Sequence, residues 1–149
     1  MNPEDSPILK IHKFVFLAEK LIDRELVNNY ELSFSQFRVL SVISKHPGIS
    51  QKQLALIQEM TQAAISRHID VLERLRYVAL ATNSMNRKEH NLHLTSRGTD
   101  IYVSASGFVT GRSKTIFDIL EVRQRDDLQD MLDMLLKVVR REHGDDSIC

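Results

Sequence analysis

The fold is decided by residues 61–75, which read TQAAISRHIDVLERL. Apolar residues recur in this stretch at the three- and four-residue spacing of a helix with one buried face, at Ile65, Ile69, Leu72 and Leu75. Thr61 is a favoured N-cap residue. The residues beside the apolar stripe in the first two turns are small or polar, and they are Gln62, Ala63, Ser66 and Arg67. The stretch therefore predicts a capped helix whose outer face is open to a partner.

Two shorter helices are predicted before this one. SQFRVLSVISKH is capped by Ser33 or Ser35, stops at the Pro-Gly pair of residues 47–48, and turns Phe37, Leu40 and Ile43 inward. QKQLALIQ is capped by Ser50 and turns Leu54 and Ile57 inward.

A β-hairpin is predicted after the helix of residues 61–75. In YVALAT, Val78 and Leu80 share one face of a strand, and Leu92 and Leu94 do the same in NLHLT. The residues between them, NSMNRKE, are polar and include two adjacent cations. The order strand, basic loop, strand indicates a hairpin with a long tip.

Long helices are predicted at both ends of the chain. The first follows Pro7 and is apolar on two faces, with Ile8, Ile11, Val15, Ala18 and Ile22 on one and Phe14, Leu17 and Leu21 on the other. Another starts at Thr95 or Ser96 and contains Gly107 and Gly111, which predict a bend or a close helix contact. The last runs over roughly residues 126–141. Because their apolar bands are wide, we expect a partner chain to cover the first and last helices.

Three short helices followed by a hairpin define a mainly α fold with a small β wing, a winged helix-turn-helix. Such a helix fits the major groove of DNA, where Gln62 and Arg67 would offer hydrogen bonds to base edges and Ala63 would allow close approach. Phosphates would be held at the start of the preceding helix, at Ser50 and Gln51. The remaining predicted DNA contacts are Thr61, Ser66, Arg74 and the cations of the hairpin tip, Arg87 and Lys88.

The composition and the distribution of charge along the chain limit the classes of function that the protein could have. The chain has 149 residues with 20 Lys+Arg against 20 Asp+Glu, yet residues 35–98 carry a net charge of +5 and the two ends together carry −5. A basic centre between acidic ends suits a polyanion. The one cysteine, Cys149, excludes an internal disulfide or a thiolate cluster. We find no catalytic motif, metal-ligand pattern, secretory segment or membrane span, so we expect a cytoplasmic protein that is no enzyme and needs no cofactor or metal.

From Ser35 to Gly98 the sequence resembles the MarR (multiple antibiotic resistance regulator) family of transcription factors. The resemblance lies in SQFRVLSVI, GISQKQLA, TQAAISRHIDVLE and the wing ending NRKEHNLHLTSRG, whose LTSRG matches the family's L-T-x-x-G. The chain departs from the family pattern at four positions. The wing Asp and Arg are Asn86 and Lys88, an Arg of the first wing strand is Leu80, and the Gly after the recognition helix is Arg76.

The resemblance implies one domain over residues 1–149, with a DNA-binding lobe at about 33–98 and dimerisation helices at 1–32 and 99–149. It also implies a homodimeric repressor that reads a pseudo-palindromic operator in double-stranded DNA. A small aromatic effector would bind near His12, Phe16 and Phe37. The alternative is a winged-helix protein-interaction module with weak or no DNA binding, which the departures in the wing favour.

Overall fold

A computed structural model describes residues 6–82, 85 and 90–142. In these ranges the chain forms six helices and three strands. They are α1 (Pro7–Tyr30), α2 (Phe34–Lys45), β1 (Ile49–Ser50), α3 (Gln51–Gln58), α4 (Gln62–Arg74), β2 (Val78–Thr82), β3 (His90–Leu94), α5 (Ser96–Phe117) and α6 (Val122–Glu142). The mainly helical winged helix-turn-helix predicted from the sequence is confirmed.

The chain divides into two compact units, and the boundary falls within α5, after Val109. The first unit holds the helix-turn-helix and the sheet around one apolar core. The predicted inward residues of α2 and α4 are fully or almost fully buried, apart from Leu75, which is partly buried. The second half of α1 completes this core through Ile22 and Leu26.

Side-chain caps fix where the helices of the first unit begin. Ser33, and not Ser35, caps α2 in a reciprocal box with Gln36. The backbone N–H of Phe34 also donates to Asp23 Oδ1 of α1 at 2.8 Å, which ties the two helices together. Because the first N–H groups of a helix lack partners within it, such bonds define its start.

The sheet has three strands, where the sequence predicted two. β1 pairs with β3 in antiparallel register, Ile49 with Leu92 and Ser50 with Asn91, and the strand order is β1-β3-β2. Two residues are too few to show a periodicity, and their partner lies more than 40 residues away in sequence. The residues around β1 therefore gave no pattern from which this strand could be predicted.

One predicted core residue of α3 is wrong. Ile57 is 38% exposed, and its neighbour Leu56 is 63% exposed. The buried residues of α3 are instead Leu54, Ala55 and Gln58. The amide of Gln58 is satisfied on one side only: its Nε2 donates to the carbonyl oxygen of Arg38 in α2 at 3.1 Å, while its Oε1 is buried with no hydrogen-bond partner among the described residues. The inward stripe thus follows the four-residue step from Leu54 to Gln58.

One expectation for the C-terminal helices is corrected, and one of the two alternatives for the glycines of α5 is not met. The helix expected at about residue 126 begins at Val122, because the Gln124 side chain accepts the backbone N–H of Glu121 at 2.8 Å and caps it there. No close helix contact occurs at Gly107 or Gly111 among the described residues of one chain, since a Cβ at either would meet nothing within 4 Å.

The end helices expose much of their apolar surface. In α1, the large apolar residues from Ile8 to Leu17 are 42% exposed or more. In α6, no residue is buried. A helix gains most of its stability from packing its apolar face, and among the described residues both helices leave much of that face exposed.

Candidate DNA-binding surface

The predicted recognition helix, α4, has its contact residues on the outside. Gln62, Ala63 and Arg67 are exposed and Ser66 is half-buried. The inward residues Ile65 and Ile69 are at most 1% exposed, so they fix the rotation of the helix about its axis. Thr61 is exposed and caps α4, accepting the N–H of Ala64 at 3.1 Å. The inner face of α4 therefore packs in the core, while its polar outer face is open to solvent.

The start of α3 carries two further predicted residues. Ser50 is the N-cap, and its hydroxyl accepts the backbone N–H of Gln53 at 3.2 Å while the Gln53 side chain accepts the N–H of Ser50. Gln51 follows as the first residue of the helix and is half-buried. The capping bonds involve the N–H groups of Ser50 and Gln53, and a helix start, whose first N–H groups lack partners within the helix, suits a phosphate.

The C-terminal end of α4 is closed by an arginine in an unusual conformation. Arg76 has a φ of +60°. Its N–H donates to the carbonyl of Glu73, and the N–H of Tyr77 donates to the carbonyl of Leu72, which is the Schellman pattern. Glycine is the usual residue there because it adopts this conformation without a Cβ clash. Arg74, also exposed, folds back so that its Nε donates to the carbonyl of Asp70 at 3.2 Å.

A joint that the sequence analysis missed connects the end of α4 to the start of α5. Thr95 caps α5 by accepting the N–H of Gly98 at 2.9 Å, while its hydroxyl donates to the carbonyl of Arg76 and its N–H donates to that of Tyr77. A Cβ on Gly98 would overlap the Tyr77 carbonyl. The Arg97 guanidinium lies 5.5 Å from the centre of the Tyr77 ring. Its signal in the sequence is the LTSRG segment of residues 94–98, which contains both Thr95 and Gly98.

One histidine on the recognition helix has a shifted pKa. Burial lowers the pKa of His68 below its usual value, and the neighbouring positive charge of Arg67 lowers it further. Both causes favour the neutral form of the imidazole over the charged form.

The wing is only partly described. Arg87, Lys88 and Asn86 lie outside the described residues. Leu80, which stands where the family has an arginine, pairs in register with Leu92 and packs against the core. Its position is therefore that of an apolar strand residue.

The three predicted effector residues lie in different surroundings. His12 and Phe16 are exposed on α1. Phe37 is 8% exposed and stacks between Phe34, at a ring-centroid distance of 6.2 Å, and Tyr102, at 5.9 Å. A groove of about 530 Å³ runs along the second half of α1, and none of the three lines it.

The described residues lack a metal-ligand group and a membrane-spanning helix. They contain no group of three or more His, Cys, Asp or Glu side chains placed to hold a metal ion. None of their helices is both long and apolar enough to cross a membrane.

Solved structures share this fold. A MarR protein from Peptoclostridium difficile superposes with a TM-score of 0.85 at 20% identity, covering 95% of this chain and 93% of its own. A MarR/EmrR family transcriptional regulator from Acinetobacter sp. ADP1 gives 0.82 at 22% identity, with 95% and 99% covered. MepR of S. aureus in complex with DNA gives 0.79 at 16% identity, with 93% and 99% covered. No curated protein matches the chain in sequence.

These likenesses define the class of fold as a winged helix-turn-helix with long helices at both ends. A family model described as the MarR family matches residues 30–89, which span α2 to the wing. The resemblance to the MarR family in the sequence is confirmed over these residues.

Proposed function

We propose that this protein is a homodimeric repressor that reads a pseudo-palindromic operator and responds to a small effector. The observation that carries the proposal is the outer face of α4, where Gln62, Ala63 and Arg67 are exposed on a helix whose opposite face is locked into the core. Glutamine and arginine at such positions form paired hydrogen bonds to adenine and guanine edges.

Charge and helix geometry support a DNA partner. Residues 35–98 carry a net charge of +5. The start of α3 presents N–H groups for a phosphate, and Arg74 lies exposed in the last turn of α4. Arg87 and Lys88, in the wing between β2 and β3, are the proposed backbone or minor-groove contacts. MepR, which shares the fold, has been solved with DNA.

The exposed apolar residues of α1 and α6 support a homodimer. Obligate interfaces bury on the order of 2,000 Å² or more of largely apolar surface, and both helices expose most of their large apolar side chains among the described residues. Two recognition helices related by a twofold axis would enter successive major grooves about 34 Å apart. A pseudo-palindromic operator follows from that symmetry.

The effector is proposed to be a small aromatic acid or phenol. His12, Phe16 and Phe37 remain its predicted contacts. A panel of such compounds, added during thermal unfolding of the full chain, tests the proposal. A compound that binds raises the melting temperature and lowers operator affinity, whereas no response from any member contradicts this part of the proposal.

The proposed operator reading is tested by selecting bound fragments from genomic DNA with the purified chain. We expect a recurring motif with two half-sites about one helical turn apart. Arg67→Ala should weaken binding to that motif by about 2 kcal/mol and relax its sequence preference. The matched control is Arg123→Ala on α6, whose side chain is 91% exposed, and which should bind as the wild type does. Unchanged affinity and preference in Arg67→Ala would remove Arg67 from the recognition surface.

A further inference from the structure

One row of side chains runs along the outer face of α4, opposite the residues that pack in the core. The row consists of Ala63, Arg67, Asp70 and Arg74, which follow one another at helical spacing and are all exposed. The proposed reading of DNA uses the first two members for close approach and base contact. The third member, Asp70, is acidic, although the surface as a whole suits a polyanion.

The carboxylate of Asp70 forms no ion pair with another of the described residues. Arginines lie one turn away on either side, yet the Nε of Arg74 donates to the backbone carbonyl of Asp70, at 3.2 Å, and not to its carboxylate. An exposed acid on a surface that approaches DNA repels the phosphates. Its presence in the row is therefore explained best by a donor on the DNA.

We propose that Asp70 is a specificity-determining residue of the recognition helix and that it reads a cytosine. Cytosine is the one base that presents an amino donor without an acceptor in the major groove, and a carboxylate, which only accepts, matches it. Guanine and thymine present acceptors there, which a carboxylate rejects. Adenine places an acceptor beside its amino group and therefore matches less well.

The spacing of the row indicates where the cytosine lies. Asp70 is three residues after Arg67, a rise of about 4.5 Å along the helix, and successive base pairs are about 3.4 Å apart. A guanine read by Arg67 and the cytosine read by Asp70 therefore lie within about two base pairs of each other in each half-site. At mismatched sites the unpaired acid lowers affinity, which adds discrimination. The inference rests on the operator reading of the proposed function and adds a second base-reading residue to it.

Site selection from a randomised duplex library tests the assignment, with the wild-type full chain compared with Asp70→Asn and Asp70→Ala. Asparagine pairs with N6 and N7 of adenine, so Asp70→Asn should replace the cytosine of the selected motif by adenine and keep the guanine read by Arg67. Asp70→Ala should accept any base at that position, with a loss of about tenfold in the preference for cytosine in competition binding. A motif with a new base also shows that the asparagine variant folds.

Glu73→Ala is the matched control. Glu73 is an exposed acid of the same helix that lies about a quarter of a turn away from the row. Its removal changes the net charge of the lobe as Asp70→Ala does, so both variants should bind random duplex at least as tightly as the wild type. Only the Asp70 variants should change the selected motif.

The outcomes separate this inference from the function on which it rests. If Arg67→Ala changes the motif while both Asp70 variants select the wild-type motif, Asp70 reads no base and the proposed function stands. If Asp70→Ala and Glu73→Ala relax the motif equally, net charge is the cause and the assignment to Asp70 is wrong. If the wild type selects no motif, the proposed operator reading and this inference both fail.

Discussion

The lobe at residues 33–98 and the two end helices, α1 and α6, differ in how far their apolar side chains are buried. In the lobe, nearly every large apolar side chain is buried or partly buried, and the exposed ones among the described residues are Leu56, Ile57 and Met85. In α6 and the first half of α1, most of them are exposed. The lobe and the second half of α1 therefore share one apolar core, whereas α6 and the first half of α1 leave most of their apolar side chains exposed. The following predictions test how the packing and hydrogen bonds of the lobe stabilise it.

The largest effect is expected at Gly98. Gly98→Ala should destabilise the first unit by about 3 kcal/mol, because the new Cβ would overlap the Tyr77 carbonyl and force the α4–α5 joint apart. Gly107→Ala in the same helix is the control and should be neutral or stabilising, since nothing lies within 4 Å of its Cβ in one chain. Chemical denaturation measures both. Equal effects would mean that the joint is not closely packed.

Thr95 should come next. Thr95→Ala removes the cap of α5 and the bond to the Arg76 carbonyl, at an expected cost of about 2 kcal/mol. Thr99→Ala is its control, because the Thr99 hydroxyl only bonds the carbonyl one turn back in its own helix. Denaturation curves of the two should differ clearly, and coinciding midpoints would show that Thr95 does not connect α4 to α5.

Arg76 offers a smaller effect of opposite sign. Arg76→Gly should stabilise the lobe by about 1 kcal/mol, because glycine adopts a φ of +60° without the clash of a Cβ. Arg76→Ala removes the same charge but keeps the Cβ, so it should bring no such gain. If both variants stabilise equally in thermal unfolding, the charge of Arg76 and not its conformation is the cause.

The smallest effect concerns pH. The folded state holds the pKa of His68 below its unfolded value of about 6.5, so the unfolded chain binds more protons as the solution becomes acidic. This contribution to stability is fully present above pH 6.5 and is lost as the pH falls from there through the folded-state pKa. His68→Gln should flatten that part of the stability curve in urea titrations between about pH 7 and 5. An unchanged slope would contradict the assignment to His68.

Much of the lobe could be predicted from local sequence. Ser33, Ser50 and Thr61 mark helix starts because a cap is a bond between near neighbours, and the α4 stripe is long enough to show its period. β1 could not be predicted, since its pairing with β3 is a long-range contact. The burial of Gln58 depends on a carbonyl twenty residues away. Neither has a signature in its own neighbourhood.

The candidate DNA-binding surface likewise has features that local sequence predicts and features that depend on long-range contacts. The outer face of α4 follows from helical periodicity, and the structure shows its residues exposed. The joint around Thr95 was not predicted, because it depends on a close approach between Gly98 and Tyr77, which are twenty-one residues apart. Arg76 was noted as a departure from the family, but its positive φ required coordinates.

The salt dependence of DNA binding tests the central claim, that the lobe is a DNA-reading surface, most directly. Affinity for a duplex taken from the genomic selection should fall linearly with the logarithm of salt concentration, with a slope of about −0.9 for each phosphate contacted. Two lobes that each contact at least two phosphates predict a slope of about −4 or steeper. Weak binding that hardly changes with salt would contradict the account and favour a winged-helix module that binds other proteins.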